Sequence, residues 1–274
     1  MQKYLGNFSV EELFDIKDIG VTMPVVCRIN NGVSVVAKYM RNPFGQQVLI
    51  NEFIGSCLAD YFDLNIPPYG ICNLSEDVII NTNMNEEIDK TNAGPCFFNE
   101  YYSQSVPVSK RFASTVKRGE VEKLVLFDHL ICNHDRHKGN LLISNKPNNN
   151  EMIVIDHSHI FGSSSVYPLT KNSLLQETKI NKILDGTVMR DNAELYKSLF
   201  NYVGFDEYEL GIQARILEKV YSKVDFLNIF SLLPEAWTLN IKNDILTGIV
   251  ELINARVEKI DRICEVIIQG RRFL

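Results

Sequence analysis

The chain has 274 residues, long enough for one large domain or two small lobes with a sizeable core. Its composition, 45% hydrophobic and 23% charged, is that of an ordinary globular protein and excludes a largely disordered or collagen-like chain. A net charge of −6 argues against broad binding to nucleic acid or to an anionic membrane, because both need a basic surface; a local basic patch remains around Lys110 and Arg111.

In chain order, the first predicted elements are strands. "PVVCRI" (24–29) and "VSVVAKYM" (33–40) flank Asn30-Asn31-Gly32. Asn-Gly between two β-branched runs predicts a hairpin, since a type I′ turn needs positive φ. "VLINEFIGSCLADYF" follows, with Ile50, Phe53, Ile54, Cys57, Leu58 and Tyr61 at helical spacing, and Pro67-Pro68 rules out its continuation. "YGICNL", "DVIINTN" and "GPCFFNEYY" read as further short strands. After about Glu100 the character changes. "VEKLVLFDHLICN" is helix-like, "NLLIS" and "EMIVID" are short strands around the polar turn "NKPNNN", and residues 246–267 carry one long apolar stripe.

The fold class expected is therefore α+β: a small β-rich lobe with one main helix over residues 1–99, and a larger helical lobe over residues 100–274. The six cysteines, Cys27, Cys57, Cys72, Cys96, Cys132 and Cys264, are scattered and form no CxxC pair. They read as buried thiols in a reducing cytosol. No signal peptide, no apolar run of the ~18 residues a membrane span needs, and no repeat of fixed period is found. The expected location is cytoplasmic, with no membrane and no nucleic acid among the partners.

The chemistry concentrates in "LICNHDRHKGNLLIS" (130–144), and all five histidines fall between His129 and His159. Asp135 and Asn140 have the D-x-x-x-x-N spacing of protein-kinase-like phosphotransferases. There the aspartate takes the proton of the attacking hydroxyl and the asparagine holds Mg²⁺. A second carboxylate should follow after a hairpin, and Asp156 stands there, at the end of "MIVID". Together these are hard oxygen ligands of the kind Mg²⁺ prefers. The spacing alone is weak, since Asp135 also suits an N-cap and Asn140 a turn. What strengthens it is the order apolar helix, polar loop, strand, turn, strand. In the small lobe, Lys38 is a lone cation in an apolar strand, on the face of Ser34, Val36 and Met40. Glu52 on the next helix would pair with it and fix it on the ATP phosphates. The bland alternative is an edge-strand lysine and a solvated glutamate.

These segments resemble the HipA-like kinases, a group related to phosphatidylinositol kinases, whose loop reads D-R-H-x-x-N. "NHDRHKGN" matches that pattern, with arginine after the aspartate rather than before it; "VIDHSHIF" resembles the family's metal-binding segment. "VVAKYM" followed by "LINEFIGSCLADYFDLNIPPYG" is similar to its small lobe. The resemblance implies a catalytic Asp135, metal ligands Asn140 and Asp156, an ATP lysine Lys38 and a loop-shaping His137. Gly20 and Thr22 of "DIGVTMP" fall where the family has its phosphate-covering loop, although one glycine replaces a G-x-G-x-x-G set. The adenine edge is expected near Phe98, Asn99, Glu100 and Tyr101. Toxin-type members carry an extra N-terminal subdomain, which the chain, with about twenty residues before its hairpin, is expected to lack.

The expected activity is transfer of the ATP γ-phosphate to a protein Ser/Thr hydroxyl, with ATP and Mg²⁺ as cofactors. Thr22 and Ser163 to Ser165 are candidates for self-modification. Arg136 is expected to brace the loop through another carboxylate. The alternatives are a pseudokinase-type nucleotide-binding module, a kinase acting on a lipid or small-molecule hydroxyl, and a hydrolase with zinc on His134, His137, His157 and His159. The zinc reading competes for the loop that the Mg²⁺ reading already uses.

Overall fold

The structure, a computed structural model, describes residues 3–16, 22–42, 44–82, 88–103, 105–107, 116–144, 151–163, 169–239 and 243–274. Gly20, Lys110, Arg111, Ser164, Ser165 and the 145–150 turn lie outside them.

Five strands close into a barrel: β1 (Phe8–Ile16), β2 (Val25–Ile29), β3 (Ser34–Lys38), β4 (Tyr69–Leu74) and β5 (Gly94–Glu100), in the order β1-β2-β3-β5-β4. Neighbours are antiparallel except at the closure, where Phe8 and Ser9 of β1 pair in parallel with Cys72 and Asn73 of β4. The sequence reading has an antiparallel sheet beginning at residue 24, and β1 is the strand it lacks. Register shifts between Val10 and Glu12, and between Leu13 and Asp15, break the period-two pattern that would announce this strand. In the β2–β3 turn only Gly32 has positive φ, at 83°. The Gly32 N–H donates to the Ile29 carbonyl at 2.8 Å and the Ile29 N–H to the Val33 carbonyl at 3.0 Å. This is the longer hairpin loop with glycine in the left-handed position, not the expected type I′ turn.

The expected strand "DVIINTN" is instead α2 (Glu76–Ile80). Ser75 caps it, its Oγ accepting the Val78 N–H at 3.3 Å, and Glu76 and Asp77 suit the first turn of a helix. The main helix of the first part, α1 (Gln46–Tyr61), is buried continuously from Val48 to Ala59, so Glu52 is buried and not solvated. α3 (Glu120–Leu130) leads into a small sheet of β6 (Ser105–Pro107), β7 (Leu141–Ser144) and β8 (Met152–Val154), ordered β6-β7-β8. The rest is helical: α4 (Lys171–Glu177), α5 (Ile180–Ile183), α6 (Thr187–Asp191), α7 (Ala193–Tyr202), α8 (Glu207–Tyr221), α9 (Phe226–Ser231), α10 (Glu235–Thr238), α11 (Asn243–Val257) and α12 (Ile260–Arg271). The long apolar stripe of the tail is thus two helices, broken at Glu258 and Lys259.

Two apolar clusters result. The smaller fills the barrel with Val25, Cys27, Ile29, Val35, Ala37, Cys72, Cys96 and Phe98. The larger runs from α1 through α3 to Trp237 and the last two helices. β5 serves both, because successive side chains point to opposite faces: Phe98 enters the barrel and Phe97 the larger cluster. Trp237, fully buried, adds a polar tie, its Nε1–H donating to the Pro95 carbonyl at 2.9 Å. The cysteines are free thiols, all buried except the half-buried Cys264. Among the described residues no helix is long and apolar enough to cross a membrane.

Candidate active site

Lys38 is the last residue of β3, a strand flanked by β2 and β5 and not an edge. Alternation turns Val35 and Ala37 into the barrel and leaves Lys38 on the outer face, under α1. Its ammonium meets three groups there. It pairs with Glu52 Oε1, donates to Ser158 Oγ at 2.7 Å, and reaches Asp156 Oδ1 at 3.1 Å. The Ser158 hydroxyl passes its own hydrogen to Glu52 Oε1 at 2.9 Å, and the His157 N–H donates to Glu52 Oε2 at 3.0 Å. Residues that lie far apart in the chain therefore share one buried polar cluster.

The electrostatics follow from that packing. Burial would lower the Lys38 pKa, but Asp156 and Glu52 outweigh it and hold the ammonium above its ordinary value. Burial would raise the Asp156 pKa, but Lys38, with the Ser158 hydrogen bonds, holds this carboxyl well below the usual carboxylate range. His157 is driven down to about 3, by burial first and by the Arg136 charge second, so its ring is neutral. Asp156 itself adopts φ 62°, and Cys132 and Phe161 adopt 51° and 62°. Left-handed backbone at residues other than glycine costs roughly 1–2 kcal/mol each and gathers at functional sites.

The loop after α3 carries the other candidates. Asp135 is exposed at its tip, with its N–H held by Asn133 Oδ1 at 3.0 Å. Desolvation on its protein side raises the carboxyl pKa; His159 opposes this and Asp156 adds to it. Asn140 is buried and donates from Nδ2 to the Asp135 carbonyl at 2.9 Å, which commits the amide nitrogen and leaves Oδ1 as the side chain's oxygen donor. His137 caps the short 3₁₀ turn Lys138–Asn140 by accepting the Gly139 N–H on Nδ1 at 3.0 Å.

Arg136 does brace the loop. It is fully buried, forks onto both Asp128 oxygens through Nε at 3.2 Å, and donates to the Ile155 and Asn140 carbonyls at 2.7 and 3.3 Å. It therefore joins the Asp135 loop to the backbone just before Asp156.

Other expected residues are placed differently. Thr22 is buried, and Ser163 is buried with its Oγ committed between Asn51 Nδ2 and the Ile160 carbonyl. Phe98 points into the barrel, and the N–H groups of Glu100 and Tyr101 are taken by the Pro68 and Ser34 carbonyls. The adenine edge expected on these residues would therefore not meet those two N–H groups. Pro68 has no N–H to return to the Glu100 carbonyl, so the ladder bond opposite Glu100 is one-sided. Sequence reasoning missed Ser158 and Asn51. Ser158 carries the local signal of standing two residues after Asp156; Asn51 immediately precedes Glu52 and donates to the Ser158 carbonyl at 2.7 Å.

Among solved structures, the chain is similar to the Helicobacter pylori proinflammatory kinase CtkA, with 12% identity over 96% of this chain and 98% of that one and a TM-score of 0.54; this is a likeness of fold. A Golgi casein kinase with Mn and ADP bound matches at 13% identity over 90% of this chain and 73% of its own, TM-score 0.42. HipA of Shewanella oneidensis MR-1, from a toxin–antitoxin complex with HipB and operator DNA, matches at 11% identity over 98% and 66%, TM-score 0.45. No curated protein matches the chain in sequence. A profile of HipA-like kinases matches residues 10–199. That span takes in the barrel from Val10 onward, Lys38, Glu52, the Asp135 loop and Asp156, and the chain belongs to the HipA-like kinase family.

Proposed function

We propose that the protein is an ATP- and Mg²⁺-dependent kinase that transfers the γ-phosphoryl group to a protein Ser/Thr hydroxyl. The observation that carries this reading is Lys38, whose ammonium touches both Glu52 of α1 and Asp156 after β8. A phosphate-binding cation and a metal-binding carboxylate would have to converge in this way.

The residues fit ATP and Mg²⁺. Asp156 stays anionic, and Lys38 and the Ser158 N–H both use its Oδ1. With the Asn140 side-chain oxygen, it presents hard donors of the type Mg²⁺ takes. Mg²⁺ held there would neutralise charge on the ATP phosphates. Lys38 binds and orients phosphate oxygens, with Glu52 and Ser158 fixing its position. Asp135 receives the proton of the acceptor hydroxyl, and its raised pKa makes it a better proton acceptor than an ordinary carboxylate. Most of the acceleration then comes from positioning and charge stabilisation. The Glu100 carbonyl, with its one-sided ladder bond, is the acceptor we assign to the adenine amino group. We read the barrel and α2 as the core of a small lobe ending near residue 99, with α1 bridging to the larger one.

The test is incubation with γ-labelled ATP, Mg²⁺ and a cell lysate, followed by separation of protein, lipid and small-molecule fractions. Label in protein, as phosphoserine or phosphothreonine, absent with Asp135→Asn, is the expected result. Label confined to lipid or metabolite fractions overturns the acceptor, and no Asp135-dependent label in any fraction overturns the activity.

A further inference from the structure

Asp135 stands on a short loop whose ends, Asn133 and Arg136, are held by a single side chain distant in sequence. Asn192, in the turn between α6 and α7, is only 2% exposed. Its Oδ1 accepts the Arg136 N–H at 2.8 Å and its Nδ2 donates to the Asn133 carbonyl at 2.8 Å. One primary amide thus supplies an acceptor to one side of Asp135 and a donor to the other, which neither a carboxylate nor an aliphatic group reproduces.

The staple is itself braced. Asn192 Nδ2 also donates to the Tyr196 hydroxyl at 3.1 Å, and that hydroxyl donates to Asp128 Oδ2 at 3.0 Å. Asp128 binds the Arg136 guanidinium and accepts from Asn133 Nδ2 at 3.0 Å, while Asn133 Oδ1 holds the Asp135 N–H. The bonds close a circuit through Asn192, Tyr196, Asp128 and Arg136, all buried, with the Asp135 loop as its edge. The same turn touches the loop at its surface through two ion pairs, His134–Asp191 at 2.9 Å and Lys138–Glu194 at 2.7 Å. Such partly exposed pairs contribute little energy, but they mark the register between turn and loop.

We infer that Asn192, backed by Tyr196, is a positioning residue for phosphoryl transfer, fixing the backbone on both sides of Asp135 from the α6–α7 turn; the inference rests on the kinase reading above. Its hydrogen bonds run to Arg136, Asn133 and Tyr196, and none to Lys38, Asp156, the Glu100 carbonyl or the side chain of Asn140, to which nucleotide and metal are assigned above. Loss of the staple should therefore separate turnover from nucleotide binding. Misplacement of a reacting group by about 1 Å costs on the order of 10²-fold in rate.

The experiment compares wild type, Asn192→Ser and Tyr196→Phe. It reads ADP release from Mg·ATP, whichever hydroxyl or water accepts, after subtracting the Asp135→Asn rate. Melting temperature and near-UV circular dichroism give the folded fraction. We expect kcat per folded molecule to fall roughly 10- to 100-fold in Asn192→Ser and several-fold in Tyr196→Phe, with KM for ATP within about twofold of wild type. A lowered melting temperature with kcat per folded molecule unchanged would make Asn192 a structural buttress and overturn the inference. If Asn192→Ser does not fold, Tyr196→Phe, which keeps the ring and its packing, decides by the same criterion. Wild type without Asp135-dependent turnover sinks the kinase reading and this inference together; active wild type with equally active variants sinks the inference alone.

Discussion

Arg136 and Asp128 are both fully buried, each serving as the other's counter-ion. Removing one partner of such a pair leaves an uncompensated charge in a low-dielectric interior, at a cost of about 3–5 kcal/mol. Arg136→Met should destabilise by that amount in urea unfolding, and adding Asp128→Asn should restore part of it; a double variant as unstable as the sum of the two would contradict the pairing. His129 gives a second residue-scale prediction. Burial, and then the Arg256 charge, hold its pKa down to about 3, with Nδ1–H donating to the Val125 carbonyl at 2.7 Å. In the unfolded chain the ring returns to about 6.5. Between those values the unfolded state binds one more proton than the native state, so stability falls as pH drops below 6.5, by about 1.4 kcal/mol per pH unit from this residue. His129→Gln should reduce the slope of unfolding free energy against pH by that amount between pH 6 and 4.5, and an unchanged slope would refute the assignment. Asp135, Asn140, Asp156 and Lys38 could be singled out in the sequence as candidates because spacing and strand context mark them locally. Asn192 and Tyr196 were not, since an asparagine and a tyrosine one helical turn apart announce nothing until the fold brings them under the loop.

The contact of α1 with the segment after β8 sets the geometry of the Lys38 cluster, and at Gly55 the two pack without room for a side chain. A Cβ at Gly55 would lie 2.5 Å from His157 Cβ and 2.9 Å from its Cγ, so helix or segment must move. Alanine normally stabilises a helix interior over glycine by about 1 kcal/mol. Here overpacking should reverse the sign, with Gly55→Ala destabilising by about 1–3 kcal/mol. The movement should also weaken Mg·ATP binding, because Glu52 and Asn51 hold the His157 N–H and the Ser158 carbonyl from the same helix. Gly211→Ala, on the exposed side of α8 with nothing within 4 Å of the added carbon, is the control and should gain stability. Equal effects of the two substitutions on melting temperature would show that the close approach at Gly55 carries no weight. Element positions were legible where period and punctuation agree: β2, β3, β4, β5 and α3 fall where the sequence reading places them. α2 was misread because its apolar run is too short for periodicity to separate helix from strand, and Ser75 decided it through a cap. In the tail, periodicity reports a buried face but not a change in helix direction, so α11 and α12 read as one.

At the scale of the molecule, closure of the barrel was illegible because it depends on a parallel pairing of β1 with β4, a long-range choice that no local pattern encodes. The pairing of Lys38 with Glu52 is the part of the global arrangement that the sequence did foreshadow, and with Asp156 beside it the cluster yields the most direct test of the whole. The lysine already ties the barrel to α1 through Glu52 and to the segment after β8 through Asp156. Nucleotide and metal should strengthen that tie. At a hundredfold excess over Kd, a ligand that binds only the native state stabilises it by about 2.7 kcal/mol. For a chain of this length that is a rise of roughly 5–10 °C in melting temperature. Asp135→Asn should keep the full rise, because its carboxylate is assigned to the acceptor. Asp156→Asn should lose the Mg²⁺-dependent part and keep whatever ATP gives without metal, because Lys38 retains Glu52. Thermal melts of the three proteins with ATP, Mg²⁺ and both decide it. The same metal-dependent rise in Asp156→Asn as in wild type would remove Asp156 from the metal site, and no rise in any of them would remove the nucleotide from the Lys38 cluster.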